Sequence, residues 1–190
     1  MTSSLSVRLS SLLSSHLPAD DREARDLARM RTACDDLAAP LSRRQAGAHF
    51  TASAVVVAPA GDVVALVHHG KLDRWLQPGG HVEDEDDGDL VRAALREARE
   101  ETGCAVSLHP GAPRPLDVDA HLIPARGQDP AHLHLDVRFL VVADDPARLS
   151  YDPAESHGAG WFTWDQALAR ADEAPLRRLL LKARGICADG

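Results

Sequence analysis

One stretch, Leu76 to Cys104, constrains this chain more than any other. Its second half has the pattern of a helix, because apolar residues recur at helical intervals between Leu90 and Ala98. Asp89 can cap the first amides of that helix, and Gly103 suits the left-handed residue at which helices commonly end. The stretch therefore predicts a loop, a helix and a second loop.

Three carboxylates, Glu97, Glu100 and Glu101, project to nearly the same side of the predicted helix. Because like charges so placed repel one another, the arrangement favours a bound divalent cation, and hard oxygen donors select Mg²⁺ or Mn²⁺ over zinc. The alternative is a solvated helix face with ion pairs. The preceding Gly79 and Gly80 favour the metal site, since glycine lets a backbone approach a ligand closely.

The helix and its flanks resemble the Nudix box, whose pattern is G-x5-E-x7-R-E-U-x-E-E-x-G-U with U a bulky aliphatic residue. The run from Arg96 to Glu101, followed by Gly103 and Cys104, has the spacing of the second half of that pattern. Ala98 and Cys104 are small for the two U positions. The resemblance identifies the chain as a member of the Nudix hydrolase family.

The first half of the box departs from the pattern. Counted from Gly80 the family's glutamate falls on Asp86, but counted back from Arg96 it falls on Gly88, so the acidic loop is two residues longer. One of the acidic residues at positions 85, 86 and 87 therefore takes the place of that glutamate, and the spacing leaves Glu85, Asp86 and Asp87 open.

The resemblance implies an α/β protein with the Nudix fold, in which a mixed β-sheet is sandwiched between α-helices. We expect this domain over residues 49–185, after an N-terminal helical hairpin extension over residues 1–48. The implied reaction is Mg²⁺-dependent hydrolysis of a diphosphate linkage in a nucleoside diphosphate derivative or a related organic diphosphate. A non-catalytic nucleotide sensor is the alternative, and an allylic-diphosphate isomerase is a weaker one because its motifs are missing.

The resemblance also implies roles for individual residues. Glu97, Glu100 and Glu101 hold the metal ions, and one of these or Glu155 takes the proton from the attacking water. Gly79 and Gly80 shape the turn that meets the substrate. By analogy with the family, Arg96 braces the acidic loop.

The N-terminal region predicts two helices. Leucines from Leu5 to Leu17 form one stripe that ends at Pro18, and a second helix follows a cap at Asp20 or Asp21. Their expected role is packing, either on the domain or on a second copy of the chain in a homodimer. Near the C-terminus, residues 165–169 and 174–183 predict two more helices, the second stopping at Gly185.

Strands are predicted between these helices. Residues 52–58 and 63–68 flank a turn and predict a hairpin whose strands are buried on both faces. Further strands are expected over residues 105–109, 116–123 and 132–142. The two loops between these last strands are rich in proline and glycine, and we expect them to select the substrate.

The strand at residues 132–142 alternates apolar and ionisable residues. His132, His134 and Asp136 at period two could hold a transition metal, and Arg138 could meet a phosphate. A half-solvated face with a local Asp136–Arg138 pair is the favoured interpretation. A basic loop that ends at Arg74 could also contact a diphosphate.

The amino-acid composition limits the kinds of molecule that we expect this protein to bind. The formal net charge is −8, and nine acidic residues against three arginines lie between Glu83 and Glu101, so a nucleic acid is not expected to bind. Three widely spaced cysteines suggest neither a disulfide framework nor a zinc site. Since no apolar run is long enough to cross a bilayer, we expect a cytoplasmic protein with no membrane contact and a small-molecule substrate.

Overall fold

A mixed sheet of eight strands forms the centre of the computed structural model, which describes residues 4–127, 130–154 and 156–189. The five predicted strands are all present, together with two short strands around the glycine pair and one near the C-terminus. The strands are β1 (Ala48–Val57), β2 (Val63–His69), β3 (Arg74–Leu76), β4 (Gly79–His81), β5 (Val106–Leu108), β6 (Asp117–Ile123), β7 (His132–Ala143) and β8 (Ser156–Thr163).

Within the described ranges, five α-helices pack around the sheet, and 3₁₀ turns lie at residues 84–86 and 146–148. The helices are α1 (Ser4–Ser14), α2 (Asp21–Asp36), α3 (Leu90–Thr102), α4 (Trp164–Arg170) and α5 (Ala174–Ala188). The cap of α2 is Asp20, whose side chain accepts from the Glu23 amide. The predicted α/β architecture with an N-terminal pair of helices is therefore confirmed.

The sheet is organised around the parallel pair β1 and β7, which stay in register over ten residue pairs from Ala48 with Leu133 to Val57 with Val142. The other pairings are antiparallel: β2 and β4 pair with β1, β3 and β8 with β2, and β5 and β6 with β7. The predicted hairpin joins β1 to β2. As predicted, β1 is buried along almost its whole length, because helices cover much of both faces.

The two faces of the sheet carry separate apolar cores. On one face, α1, α2 and α3 pack on the sheet side chains Phe50, Leu135 and Phe139. On the other face, α4 and α5 pack on Val55, Leu66 and Leu140. The N-terminal helices thus share a core with the sheet, as expected from their leucine stripe. The division into residues 1–48 and 49–185, and a homodimer, stay predictions.

Helix α2 also covers the sheet edge formed by β6. Its Glu23 is fully buried and accepts from the Val118 amide of β6 at 3.2 Å, from the Ala19 amide at 2.6 Å, and lies 2.8 Å from Nε2 of His16. Lys182 from α5 reaches the same carboxylate. A side chain of α2 thus satisfies an edge-strand amide that would otherwise face water.

Two sequence-based predictions are wrong in detail. Helix α5 does not stop at Gly185 but continues to Ala188, because Ile186 and Cys187 pack on the second core and offset the helix cost of glycine. The ionisable face of β7 is half-solvated only at its start, where His132 and His134 are half-buried. Asp136 and Arg138 form the expected pair at 2.8 Å, but both are buried.

The cysteines and the lengths of the helices can be read directly from the described residues. Cys34, Cys104 and Cys187 are free thiols, and Cys104 lies buried at the position of a core aliphatic residue. Across the described helices, no segment combines the length and apolar character that a membrane crossing requires.

Candidate active site

Helix α3 is held in place at both ends by the residues that the sequence indicates. The Asp89 side chain accepts from the Val91 amide, and Gly103 adopts a left-handed conformation with φ of 67° while its amide donates to Arg99. The apolar side of the helix, including Ala94 and Ala98, is buried in the first core. The opposite side can therefore present its charged residues to the loop and to β4.

Two of the three carboxylates converge on the glycine pair of β4. The Gly79 amide donates to Oε1 of Glu101 at 3.2 Å. A Cβ placed on Gly80 would lie 2.5 Å from Oε1 of Glu97, and one placed on Gly79 would collide with Ser53. A side chain at position 79 is excluded by the backbone of β1, and one at position 80 would displace the Glu97 carboxylate.

Arg96 braces the acidic loop as the family resemblance implies. Its Nη2 donates to the His81 carbonyl at 2.8 Å and to Oδ2 of Asp86 at 3.0 Å. Asp86 is buried and also accepts from the Glu83 amide. Among the three open alternatives, Asp86 is the buried one and lies closest to Arg96, whereas Glu85 and Asp87 are exposed and Glu85 lies 3.6 Å from Arg96.

Glu100 shares Arg96 with Glu97. It pairs with Nη1 of Arg96 at 2.9 Å, and about half of its side chain (56%) is exposed. The same Nη1 lies 3.0 Å from Glu97. Burial raises the pKa of the Glu97 carboxyl, and the nearby Arg96 only partly opposes that rise. Glu97 therefore lacks full charge compensation from the described side chains.

A cleft of about 490 Å³ opens beside these residues. It collects acidic groups from α3, the loop and β7, together with cations from two separate loops. The charged residues that line it are Glu83, Glu97, Glu101, Asp136, Arg43 and Lys71. Apolar side chains at Leu72, Leu76 and Ile123 complete the lining. The cleft thus combines carboxylates with cations, as binding of a metal and a phosphate requires.

The strands β1 and β7 supply a polar part of the lining. Asp136 accepts from Thr51 at 3.2 Å and from Ser53 at 2.8 Å, and it pairs with Arg138. Beside them, His134 lines the cleft, and its pKa is lowered to about 2 by burial and by the neighbouring His81 and other histidines. His134 is therefore a neutral imidazole at physiological pH.

Two predicted substrate contacts lie elsewhere. Arg74 is paired with Glu173 at the start of α5, and Arg138 is buried against Asp117, Asp119 and Asp136. Neither arginine lines the cleft. Glu155 lies outside the described residues.

The loops around the cleft also differ from expectation. The first Pro/Gly-rich loop, residues 110–115, lies against α1 and α5, where it lines a separate pocket. The second adjoins Ile123 at the cleft. Arg43, from the connection between α2 and β1, was missed because its segment shows only loop composition. The basic loop after β2 contributes Lys71 and His69.

The carboxylates fit a hard divalent cation. Glu97 and Glu101 offer oxygen donors on adjacent turns of one helix, and the glycine pair leaves no side chain between them and the cleft. Glu100 is paired with Arg96 and does not line the cleft. Oxygen donors without sulfur or imidazole suit hard cations better than zinc.

Comparison with protein families agrees with this geometry. The family model described as the NUDIX domain matches residues 47–183, well over half of the chain. The chain belongs to the Nudix family. Its site is accordingly that of a Nudix-type pyrophosphohydrolase, and the two helices α1 and α2 lie before the matched region.

Solved structures of several hydrolases share the fold. A C. elegans Ap4A hydrolase in a binary complex has a TM-score of 0.58 at 22% identity, covering 74% of this chain and 98% of that one. A Nudix hydrolase from Clostridium perfringens has a TM-score of 0.51 at 23% identity, covering 74% and 96%. A MutT Nudix hydrolase from Burkholderia pseudomallei has a TM-score of 0.51 at 24% identity, covering 71% and 97%. Among curated proteins, no significant sequence relative was found.

Proposed function

We propose that this Nudix enzyme hydrolyses a diphosphate linkage in a nucleoside diphosphate derivative or a related organic diphosphate, with Mg²⁺ as its cofactor and Mn²⁺ as a substitute. The observation that carries the proposal is the convergence of Glu97 and Glu101 on the glycine pair at the cleft. A diphosphate carries dense negative charge, so its hydrolysis requires cations where charge develops. The cleft places Arg43 and Lys71 within its lining for this purpose.

Glu97, Glu100 and Glu101 would hold the ion in this proposal. The chemistry that Mg²⁺ supplies at such a site is neutralisation of phosphate charge and a lower pKa for the attacking water. Glu101 is our choice for the base that accepts the proton from that water, because it lines the cleft while Glu100 is turned toward Arg96. Glu155 stays the alternative base.

The other residues position these groups. Gly79 and Gly80 let the substrate approach the α3 carboxylates, and Arg96 with Asp86 holds the acidic loop against the helix. We assign Arg138 to orienting Asp136 rather than to phosphate binding, since its guanidinium is surrounded by three buried carboxylates. We also propose a cytoplasmic location, which the three free thiols support.

The test is a panel of diphosphates incubated with the purified full chain, with Mg²⁺ or with a chelator. Products are separated by chromatography and identified by ³¹P NMR. We expect hydrolysis of at least one nucleoside diphosphate derivative that requires Mg²⁺ and disappears with the chelator. Tight nucleotide binding without turnover across the panel would instead identify a sensor and overturn the proposal.

A further inference from the structure

Five histidines from four strands meet on one face of the sheet, beside the cleft. The register places His121 of β6, His134 of β7 and His49 of β1 side by side across three neighbouring strands. His132 lies two residues before His134 on the same face, and His81 of β4 completes the group. Their ring centroids are 4.8–5.5 Å apart in the contacting pairs.

Three members of this group have the spacing of a metal site. One ring nitrogen from each of His49, His132 and His134 lies within 4.8 Å of the others. Around a tetrahedral Zn²⁺ with Zn–N bonds of 2.0–2.1 Å, neighbouring nitrogens are separated by about 3.3 Å. Closing that difference requires a rotation of the rings, of which His132 and His134 are only half-buried.

His49 provides an independent indication of a ligand. Its relative exposure is 1%, and neither of its ring nitrogens has a hydrogen-bond partner. Nε2 of His134 is likewise buried without a partner. Because buried polar groups are nearly always satisfied, and a lost partner costs about 1–3 kcal/mol, three such nitrogens on two contacting rings call for a bound group.

His132 has the second contact that metal-bound histidines usually make. Its Nδ1 lies 2.9 Å from the Pro130 carbonyl, which places the proton on Nδ1 and leaves the lone pair on Nε2. Donation from the distal nitrogen to a backbone carbonyl fixes both the tautomer and the ring orientation of a ligating histidine.

We propose that His49, His132 and His134 form a binding site for a transition-metal ion of the Zn²⁺ class, separate from the carboxylates of α3. Imidazole nitrogens suit zinc and other late transition metals, whereas Mg²⁺ prefers oxygen. Three histidines leave the fourth position of a tetrahedral ion open. One of the three, His134, also lines the cleft, so the ion would lie beside the substrate space. The ion would also link β1 to β7.

The experiment measures binding of Zn²⁺ alone to the tag-free, chelator-treated full chain, by competition with a chromophoric chelator and by metal analysis after dialysis. We expect one Zn²⁺ per chain. His49→Gln and His132→Gln should each weaken binding by about 100-fold or more, since loss of even an outer contact costs 10- to 100-fold. Co²⁺ in place of Zn²⁺ should give the visible absorption of a tetrahedral site in the wild type alone.

Two controls locate the ion. His157→Gln removes an exposed histidine outside the group and should bind Zn²⁺ as the wild type does. Glu101→Gln should also bind normally, which separates this site from the hydrolase site whether or not hydrolysis is found. Unchanged Zn²⁺ binding in both His49→Gln and His132→Gln, or no Zn²⁺ binding by the wild type, would refute the site.

Thermal melting guards against a variant that fails to fold. Zn²⁺ should raise the melting temperature of the wild type by mass action and leave that of His132→Gln unchanged. His132 is only half-buried, so its replacement keeps the test usable if the buried His49 cannot be replaced.

Discussion

Glu23 of α2 and Glu97 of α3 are both largely buried, with relative side-chain exposures of 0% and 14%. The pKa values of their carboxyl groups are nevertheless shifted in opposite directions. Burial by itself raises the pKa of Glu23, but His16, the Ala19 amide and Lys182 hold it well below its usual range. For Glu97, burial also raises the pKa, and Arg96 offsets only part of that effect. One carboxylate is surrounded by cations and amides, and the other is left short of them.

The contrast separates a structural charge from a functional one. Glu23 joins α2, β6 and α5, so its ionised form is a part of the folded core. Glu97 lies at the cleft. There a bound metal ion, together with the cationic side chains around the substrate, would supply the missing positive charge. Strongly perturbed groups in a cleft are typical of catalytic sites, whereas fully paired ones are typical of cores.

The largest effect is expected for Glu23→Gln. Removing the charge leaves Lys182 and His16 without their shared partner in a buried setting, so the free energy of unfolding should fall by about 3–5 kcal/mol. For a chain of this size the melting temperature should drop by on the order of 10 °C. Denaturant unfolding and thermal melting measure the change. Hydrolysis per folded molecule, assayed well below the transition, should stay close to that of the wild type.

The exposed Asp165→Asn is the matched control for that variant. Asp165 pairs with Arg184 on the surface and is 85% exposed, so its loss should change stability by less than about 0.5 kcal/mol. If Glu23→Gln were as stable as Asp165→Asn, the buried network would contribute nothing and the comparison would fail.

The next largest effect is on catalysis, and we expect it for two glutamates of the Nudix box. Glu100→Gln and Glu101→Gln should each lower turnover by about 10- to 100-fold or more, the scale of a lost base or charge-stabilising group. Neither should lower the melting temperature appreciably, because both side chains face the loop or the cleft. Steady-state kinetics with a substrate from the diphosphate panel provide the measurement. Full activity in both variants would contradict the assigned site.

The smallest expected effect is on how stability depends on pH, and it compares Glu23 with Glu97 most directly. The folded-state pKa of Glu23 is depressed, so its stabilisation is present above its ordinary pKa of 4.5 and is lost as pH falls. The folded-state pKa of Glu97 is raised, so without metal its ionisation costs stability as pH rises above 4.5. At neutral pH without metal, Glu97→Gln should therefore melt at the same temperature as the wild type or a few degrees higher.

Melting curves of the wild type and both variants between pH 4 and 8, in chelator, measure these slopes. We expect the stability difference between Glu23→Gln and the wild type to shrink toward low pH. A marked loss of stability in Glu97→Gln at neutral pH would show that Glu97, like Glu23, is a compensated core charge.

Local patterns in the sequence predict most of the elements. The spacing of Leu90, Ala94 and Ala98 is enough to place α3, and the turn between the first two strands is enough to place their hairpin. The carboxylates of α3 follow from the same periodicity, because neighbours on one helix face are fixed by sequence alone.

What the sequence does not predict depends on which strands become neighbours. His49 lies beside His132 and His134 because β1 and β7 pair in parallel. Neither strand's own sequence predicts that register. The alternation of apolar and ionisable residues along β7 predicts a solvent-exposed face. In the structure, α2 and α5 cover the neighbouring sheet edge and bury Asp117 and Arg138. In the sequence, Arg74 is a candidate phosphate ligand. In the fold it pairs with Glu173, which lies far along the chain.

The parallel pairing of β1 with β7 also shapes how the chain reaches its native state. Thr51 and Asp136 are partners in this register although 85 positions separate them. Since a crossover of this length must close before the central ladder gains its hydrogen bonds, the loop-closure entropy slows folding. On the ribosome, a nascent chain that has completed α3 still lacks the strand that finishes the middle of its sheet, and β1 must wait for β7 to be synthesised.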